Sequence, residues 1–302
     1  MRIDFRGNPT DEPTVRIGHI GCGSHSFRNL FPTYPFVPID LVATCDLQKE
    51  KADAFAQKFG ARSAYTDYRE MIDKESLDGV VVCVGYDKHG RPIYPRIASE
   101  CMKLGVNVFI EKPPAATVRE VETMMQASDE TGKVVLCGLK RAFFQMTTKV
   151  KKLIDDTEQF GDPMTLLLQR EERIPTMEEI EDYWAGNPNK WMGKFLDHFC
   201  HPASVMLYLS GMPQRMIYHR AAYGSGVVTF EYDPPAGALP HARRASSGMV
   251  ASMSFTHGGS GVAGGVERVT VIGTQCQTVV LENCRVICFQ GPAQDPGEDS
   301  GY

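Results

Sequence analysis

The apolar run Val15–Ile20 delivers the chain directly into Gly21-Cys22-Gly23-Ser24-His25-Ser26, and a segment able to start a helix follows. A strand that turns into a helix over so short a span needs glycine at the first position for the tight turn. Glycine at the second position lets the backbone approach a pyrophosphate at the helix N-terminus. Ser26 stands where a third glycine is usual, and it is small enough for close helix-to-strand packing. Asp46 ends the next apolar run, about 25 residues after Gly21, where an acidic side chain accepts hydrogen bonds from the hydroxyls of an adenosine ribose. Its charge repels a 2′-phosphate, so NAD is the expected cofactor and NADP the less favoured one. A plainer role, capping the helix that begins near Gln48, is compatible with the first.

Short apolar runs alternate with amphipathic stretches through the N-terminal half, as in a parallel sheet covered by helices on both faces. Strands are expected at Val15–Gly21, Asp40–Asp46, Gly79–Val84, Asn107–Glu111 and Val134–Gly138. Helices are expected at Gln48–Phe59, Ile97–Leu104 and Val118–Thr131, the last capped by Thr117. Right-handed crossovers make such a series a doubly wound α/β sheet of the Rossmann type.

After Gly138 the texture changes. A helical piece at Phe143–Ile154 is followed by alternating segments at Met164–Arg170, Met249–Thr256, Val269–Ile272 and Thr278–Leu281. These predict a mainly antiparallel sheet with one wet face. One further helix, Lys194–Leu209, ends at Gly211. The boundary falls near residue 140, giving a cofactor domain at 1–140 and a second domain at 141–302. The Gly/Pro/Ser-rich stretch Asp233–Gly248 reads as a loop and Gly291–Tyr302 as a polar tail.

Composition excludes several partners. The 32 basic residues are scattered among 37 acidic ones for a net charge of −5, so no stripe exists to neutralise a nucleic-acid backbone. No apolar run is long enough to span a bilayer, and the polar N-terminus has no signal-peptide core, so a cytoplasmic protein with no membrane partner is expected. Nine cysteines, of which Cys22, Cys45, Cys83 and Cys137 sit in or beside apolar runs, read as reduced and buried.

Two further places carry chemistry. Glu111-Lys112-Pro113-Pro114 leaves the fifth predicted strand at its carboxyl end, where doubly wound sheets place ligands. A lysine held there by proline can polarise a substrate hydroxyl and stabilise the developing alkoxide; equally, a lysine at a strand end can be merely solvated. Asp197 and His201, spaced i, i+4, share one helical face, so a carboxylate and a near-neutral imidazole are available for proton removal from an alcohol. The plainer reading is a surface pair worth a few tenths of a kcal/mol. The cluster Asp197, His198, Cys200, His201 also suggests a metal, but consecutive helical residues point roughly 100° apart and only subsets could chelate, so no metal is expected.

Ile20-Gly21-Cys22-Gly23, Cys45-Asp46, the segment Val84–His89, Val108–Pro113 and Asp197–His201 occur in an order and spacing that resembles the glucose-fructose oxidoreductase, inositol dehydrogenase and rhizopine catabolism (Gfo/Idh/MocA) group of NAD(P)-dependent oxidoreductases. Arg268–Leu281 resembles the paired strands with which that group continues. The resemblance implies a Rossmann domain followed by an α/β domain whose large open sheet mediates homodimer or homotetramer formation. It implies hydride transfer between a nicotinamide and a CH–OH group of a sugar, cyclitol or related polyol. Lys112, His201 and Asp197 take the catalytic positions. Gly21, Cys22, Gly23, Ser24, His25, Asp46, Gly85, His89, Glu111 and Pro113 fall at cofactor positions, and Arg141, His198 and Trp191 at substrate positions. His89 could instead cap a helix start, Arg141 could pair with a neighbouring acid, and His198 could be a polar residue on the helix flank. The same resemblance permits a glycosidase or lyase that retains its cofactor, or a dinucleotide-sensing regulator. Trp191-Met192 before Gly193, and Phe199 before Cys200, replace glycines usual in the group, which implies a bulkier pocket wall.

Overall fold

The computed structural model describes residues 13–187, 190–233, 248–256, 267–275 and 277–290. The predicted tail, and the predicted loop apart from its two ends, lie outside them. The chain divides into two compact units, Met1–Gly138 and Leu139–Tyr302.

In the first unit β1 (Val15–Ile20), β2 (Ile39–Cys45), β3 (Ser63–Tyr65), β4 (Gly79–Val82), β5 (Asn107–Ile110) and β6 (Val135–Cys137) form one sheet in the order β3-β2-β1-β4-β5-β6. All five strand pairs are parallel. This is the 3-2-1-4-5-6 order of the Rossmann fold, which places the crevice at the carboxyl ends of β1 and β4. Helices α1 (Lys49–Phe59), α2 (Tyr68–Lys74), α3 (Tyr94–Lys103) and α4 (Val118–Thr131) connect the strands. β3 and α2 went unread in the sequence because each is too short to establish a period.

One sheet face, with Ile20, Val80, Val82, Val108 and Ile110, packs on Ile97, Ala98, Cys101 and Met102 of α3 and on Met124 and Ala127 of α4. The start of α4 follows from its sequence. Thr117 Oγ1 accepts from the N–H of Glu120 at 3.1 Å, and the Glu120 carboxylate accepts from the N–H of Thr117 at 2.9 Å. The two side chains thus satisfy each other's orphan donors.

The segment after the glycine turn is helical but irregular. Ser26–Leu30 is a π-turn closed by the Phe31 N–H on the Ser26 carbonyl, and Phe31–Phe36 is a 3₁₀ helix. Pro32 and Pro35 lack the N–H groups that a continuous α-helix would use there. Aromatic packing replaces that ladder: Phe31 stacks on Phe59 at 4.5 Å between centroids, and Phe27 and Phe55 meet the same group edge-on.

The second unit begins with α5 (Gln145–Asp155), β7 (Pro163–Glu171), α6 (Met177–Trp184) and α7 (Lys190–Ser210). It continues through β8 (Arg215–Arg220), β9 (Gly226–Tyr232), β10 (Met249–Thr256), β11 (Glu267–Gly273), β12 (Thr278–Glu282) and β13 (Val286–Gln290). The strands form a seven-stranded sheet in the order β13-β12-β11-β7-β10-β9-β8. Every neighbour is antiparallel except β7 with β10, so the sheet is mixed at its centre. Its inner face carries Leu166, Leu168, Phe230, Ala251, Met253, Val269, Val271, Val279 and Leu281, packed with Val150 and Ile154 of α5 and with Val205, Met206 and Leu209 of α7.

Candidate functional site

In the first unit Gly21, Asp46, Cys83 and Glu111 each follow a parallel strand at its carboxyl end, so they share one edge of the sheet. Gly21 has φ +102°, and a Cβ on it would lie 2.0 Å from the Cys83 carbonyl oxygen. No other residue fits there. Gly23 is different, because its φ is ordinary and no protein atom lies within 4 Å of where its Cβ would be. No protein contact requires glycine at that position. Gly85, in the loop after β4, has the same open surroundings.

Asp46 clasps the turn. Its Oδ2 accepts from the Cys22 N–H at 2.8 Å and its Oδ1 from the Gln48 N–H at 2.9 Å. Asp46 thus closes a turn onto Gln48, the N-cap residue of α1, rather than capping the helix itself, and its carboxylate offers about four lone-pair sites in all. Cys22 gives its N–H to Asp46 and buries its thiol, which burial above all, and then the Asp46 charge, push up to about 12. Its contribution to the turn is thus structural. Cys45 is buried likewise, whereas Cys137 is only half-buried and Cys288 is exposed. Leu47, next to Asp46, is 93% exposed, an apolar side chain in open solvent beside the predicted ribose position. An isolated leucine after an acid carries no pattern in the sequence.

Beneath the turn lies a buried polar network. Ser26 Oγ donates to the Gly21 carbonyl at 2.6 Å, and His19 Nε2 lies 3.2 Å from the same oxygen. A carbonyl only accepts, so Nε2 carries the proton and Nδ1 accepts from the Tyr34 hydroxyl at 2.6 Å. Burial drives the His19 pKa down to about 3, against a smaller opposing effect of the Gly21 hydrogen bond.

Ser24 and His25 are exposed at the mouth of the turn. His25 Nε2 lies 3.4 Å from Glu111 Oε1, and the buried Glu111 accepts the Lys112 N–H on its other oxygen at 3.1 Å. Glu111 thereby links the glycine turn to the end of β5. Lys112 is half-buried, Pro113 is buried, and the peptide between them is cis. His89 sits in a turn built on Asp87, whose Oδ1 accepts the N–H groups of His89 at 2.8 Å and Arg91 at 2.9 Å. Burial would raise the Asp87 carboxyl, but these two donors outweigh it and hold it below its ordinary range. His89 caps no helix, since α3 has Ile93 at its N-cap. Its Nδ1 is buried without a hydrogen-bond partner. A buried orphan of this kind costs about 1–3 kcal/mol until something meets it.

In the second unit Asp197, His198 and His201 lie on α7, all half-buried. Pro202, inside the helix, has no N–H to give the His198 carbonyl four residues back. His198 Nδ1 lies 3.3 Å from Glu172 Oε2, and Arg170 Nη2 lies 3.6 Å from the same oxygen. Arg170 also meets Glu267 at 3.2 Å, and Arg141 pairs with that same Glu267 oxygen. The Arg141 guanidinium is thus tied to a buried acid and keeps further N–H donors besides. Phe199 stacks on Phe195 at 5.2 Å and meets Phe255 at 5.8 Å. Its ring packs, partly buried, against the hydrophobic core of the second unit. The Trp191 side chain lies outside the described residues. Among the described residues no group of three or more His, Cys, Asp and Glu is arranged to hold a metal, and no helix is long and apolar enough to cross a membrane.

Residues 15–139 match the oxidoreductase family with an NAD-binding Rossmann fold. The N-terminal domain is a member of that family. Among curated relatives, 4-carboxy-2-hydroxymuconate-6-semialdehyde dehydrogenase of Sphingobium sp. is 25% identical over 65% of this chain and 59% of its own length. Myo-inositol 2-dehydrogenase of Thermotoga maritima is 25% identical over 65% of this chain and 55% of its own. The chain thus spans less than two thirds of either relative. The fold extends further: a WlbA dehydrogenase from Chromobacterium violaceum, solved with NADH and UDP-GlcNAcA, superposes with a TM-score of 0.70 over 95% of this chain and 80% of that one, at 17% identity.

Proposed function

We propose that this chain is an NAD-dependent dehydrogenase acting on a CH–OH group of a sugar, cyclitol or related polyol. The observation that carries the reading is the turn at Gly21–Gly23, clasped by Asp46, at the crevice edge of an NAD-binding Rossmann sheet. The open space at Gly23 and at Gly85 fits a bound dinucleotide. Gly21, Gly23, Ser24 and the Asp46 carboxylate hold its pyrophosphate and ribose, and Leu47 offers an apolar surface to the adenine. The Asp46 carboxylate, whose charge repels a 2′-phosphate, supports NAD over NADP. When bound, the nicotinamide supplies a two-electron acceptor for hydride.

The protein's own groups do the rest. Glu111 fixes the start of the Lys112-Pro113 segment, and the Lys112 ammonium polarises the substrate oxygen. Asp197 and His201, one turn apart, flank the alcohol, and α7 supplies the imidazole that takes its proton. The outer face of the seven-stranded sheet carries a cross-strand row of Ile217, Thr229, Ser252, Leu167, Thr270 and Val280. Leu167 and Ile217 are exposed in it, which supports docking of a second copy. Incubation with NAD and a panel of sugars, inositols and sugar acids is expected to generate the absorbance of reduced nicotinamide, and Lys112→Ala to abolish it. Undiminished turnover in that variant would remove the lysine from the mechanism.

A further inference from the structure

β1 carries an imidazole where its other buried side chains, Ile17 and Ile20, are apolar. His19 has none of its surface exposed, and a polar ring buried that deeply is costly unless both nitrogens are paired. Both are. Nδ1 lies 2.6 Å from the Tyr34 hydroxyl, and Nε2 lies 3.1 Å from Ser26 Oγ and 3.2 Å from the Gly21 carbonyl oxygen. Ser26, equally buried, donates its own proton to that carbonyl at 2.6 Å. Phe31 covers the imidazole, with the ring centroids 4.3 Å apart.

Followed proton by proton, these bonds all run one way. Tyr34 donates to His19, the Nε2–H of His19 donates toward Ser26 and the Gly21 carbonyl, and Ser26 donates to the same carbonyl. That carbonyl shares one planar peptide with the Cys22 N–H, which donates to Asp46 Oδ2 at 2.8 Å. The chain of donors therefore starts at a phenol in the 3₁₀ helix Phe31–Phe36 and ends on the carboxylate that follows β2. Hydrogen bonds arranged head to tail polarise one another, so donors on the Gly21 carbonyl make the N–H of its peptide a stronger donor to Asp46. They also fix the plane, since the peptide cannot rotate without leaving Ser26, His19 and Asp46 together. The other Asp46 oxygen is held by the Gln48 N–H at 2.9 Å, so the Gly21–Cys22 peptide supplies one of the two backbone donors that set the conformer of the carboxylate.

We propose that Tyr34, His19 and Ser26 are positioning residues for Asp46: through the Gly21–Cys22 peptide they set its carboxylate, and with it the discrimination between a ribose diol and a 2′-phosphate. The proposal rests on the dinucleotide reading above and names what holds its selective residue in place. His19 and Ser26, fully buried, do this without touching a nucleotide. A network that only supported the fold would weaken NAD and NADP binding alike. One that sets Asp46 weakens NAD more than NADP, because a displaced carboxylate loses the ribose hydroxyls and repels a 2′-phosphate less.

Two measurements test this, the first without nucleotide. Hydrogen exchange of the Cys22 N–H is followed by NMR against the Glu111 and Gly138 N–H groups, which are bonded to the Val82 and Ile110 carbonyls at 3.1 and 2.9 Å. His19→Phe and Ser26→Ala are expected to speed Cys22 exchange about three- to tenfold relative to those controls, the effect of losing one hydrogen bond. His19→Gln, whose amide can return an N–H donor to the place of Nε2, is expected to reverse it. Tyr34→Phe removes a single oxygen atom, is the variant least disturbing to folding, and is expected to act in the same direction. An unchanged relative rate in these variants overturns the proposal. In the second measurement, calorimetric titration with NAD and with NADP is expected to show the preference for NAD reduced about three- to tenfold in His19→Phe and Ser26→Ala, and within about twofold of wild type in His19→Gln. Equal losses for the two nucleotides, leaving the preference unchanged, overturn it as well. Should the wild type bind neither nucleotide while Cys22 exchange still follows the variants, the dinucleotide reading fails and the hold on the Asp46 peptide stands.

Discussion

Gly21 and Gly23 are two residues apart and both glycine, yet their surroundings require opposite responses to alanine. At Gly21 the methyl must occupy a left-handed conformation and sit 2.0 Å from the Cys83 carbonyl oxygen. The conformational part alone costs about 1–2 kcal/mol. Relieving the overlap means displacing backbone next to the Cys83 N–H to Ile20 carbonyl bond of 2.9 Å. A total on the order of 3 kcal/mol, at about 4 °C per kcal/mol for a unit of this size, lowers Tm by about 12 °C. At Gly23 the methyl meets no protein atom within 4 Å, so stability moves by no more than about 0.5 kcal/mol. It does occupy the space through which a pyrophosphate reaches the backbone. Losing one charge-assisted bond there costs about 1.5–3 kcal/mol, or roughly 10- to 150-fold in NAD affinity. Differential scanning calorimetry and calorimetric NAD titration on the two variants separate these effects. If Gly23→Ala melts as low as Gly21→Ala, or binds NAD as tightly as the wild type, the reasoning about the turn is wrong.

Glu267→Ala leaves the Arg141 and Arg170 guanidiniums facing each other without their shared acid, and is expected to cost about 3–5 kcal/mol in denaturant unfolding; a loss below 1 kcal/mol would mean the network is solvated. His19 is neutral in the fold, with its pKa lowered from 6.5 to about 3. Above pH 6.5 neither state binds the proton; below it the unfolded chain does and the folded chain does not, so stability falls as pH drops toward 3. The loss is on the order of 2 kcal/mol by pH 5, and a Tm that stays flat from pH 7 to 5 would contradict it. Thr117→Ala removes the α4 cap and is expected to cost about 1 kcal/mol, with little effect on NAD affinity.

The sequence made some of this readable and concealed the rest for definable reasons. Helix α4 has the ends expected of it because its own residues close it: Thr117 at one end, Gly132 at φ +67° at the other. The strands around the glycine turn are recognisable because burial on both faces leaves unbroken apolar runs. Strands β8 and β9 went unread because β8 is exposed along its whole length and offers no alternation. The network behind His198 joins residues 97 and 126 positions apart, beyond any local pattern. A faint signal existed: Arg170 continues the inward series Leu166, Leu168, and Glu267 begins the inward series Val269, Val271, so each strand carries one charge on its core side. Register then brings the two together.

The central claim is that the turn held by Asp46 is a dinucleotide site with NAD as its ligand. Calorimetric titration of the wild-type protein with NAD and with NADP, repeated on Asp46→Ala, tests it most directly. The account predicts saturable NAD binding at least about tenfold tighter than NADP. In Asp46→Ala both the affinity and the preference should fall. Equal affinity for the two nucleotides in the wild type, or NAD binding unaltered by loss of the Asp46 carboxylate, would contradict it.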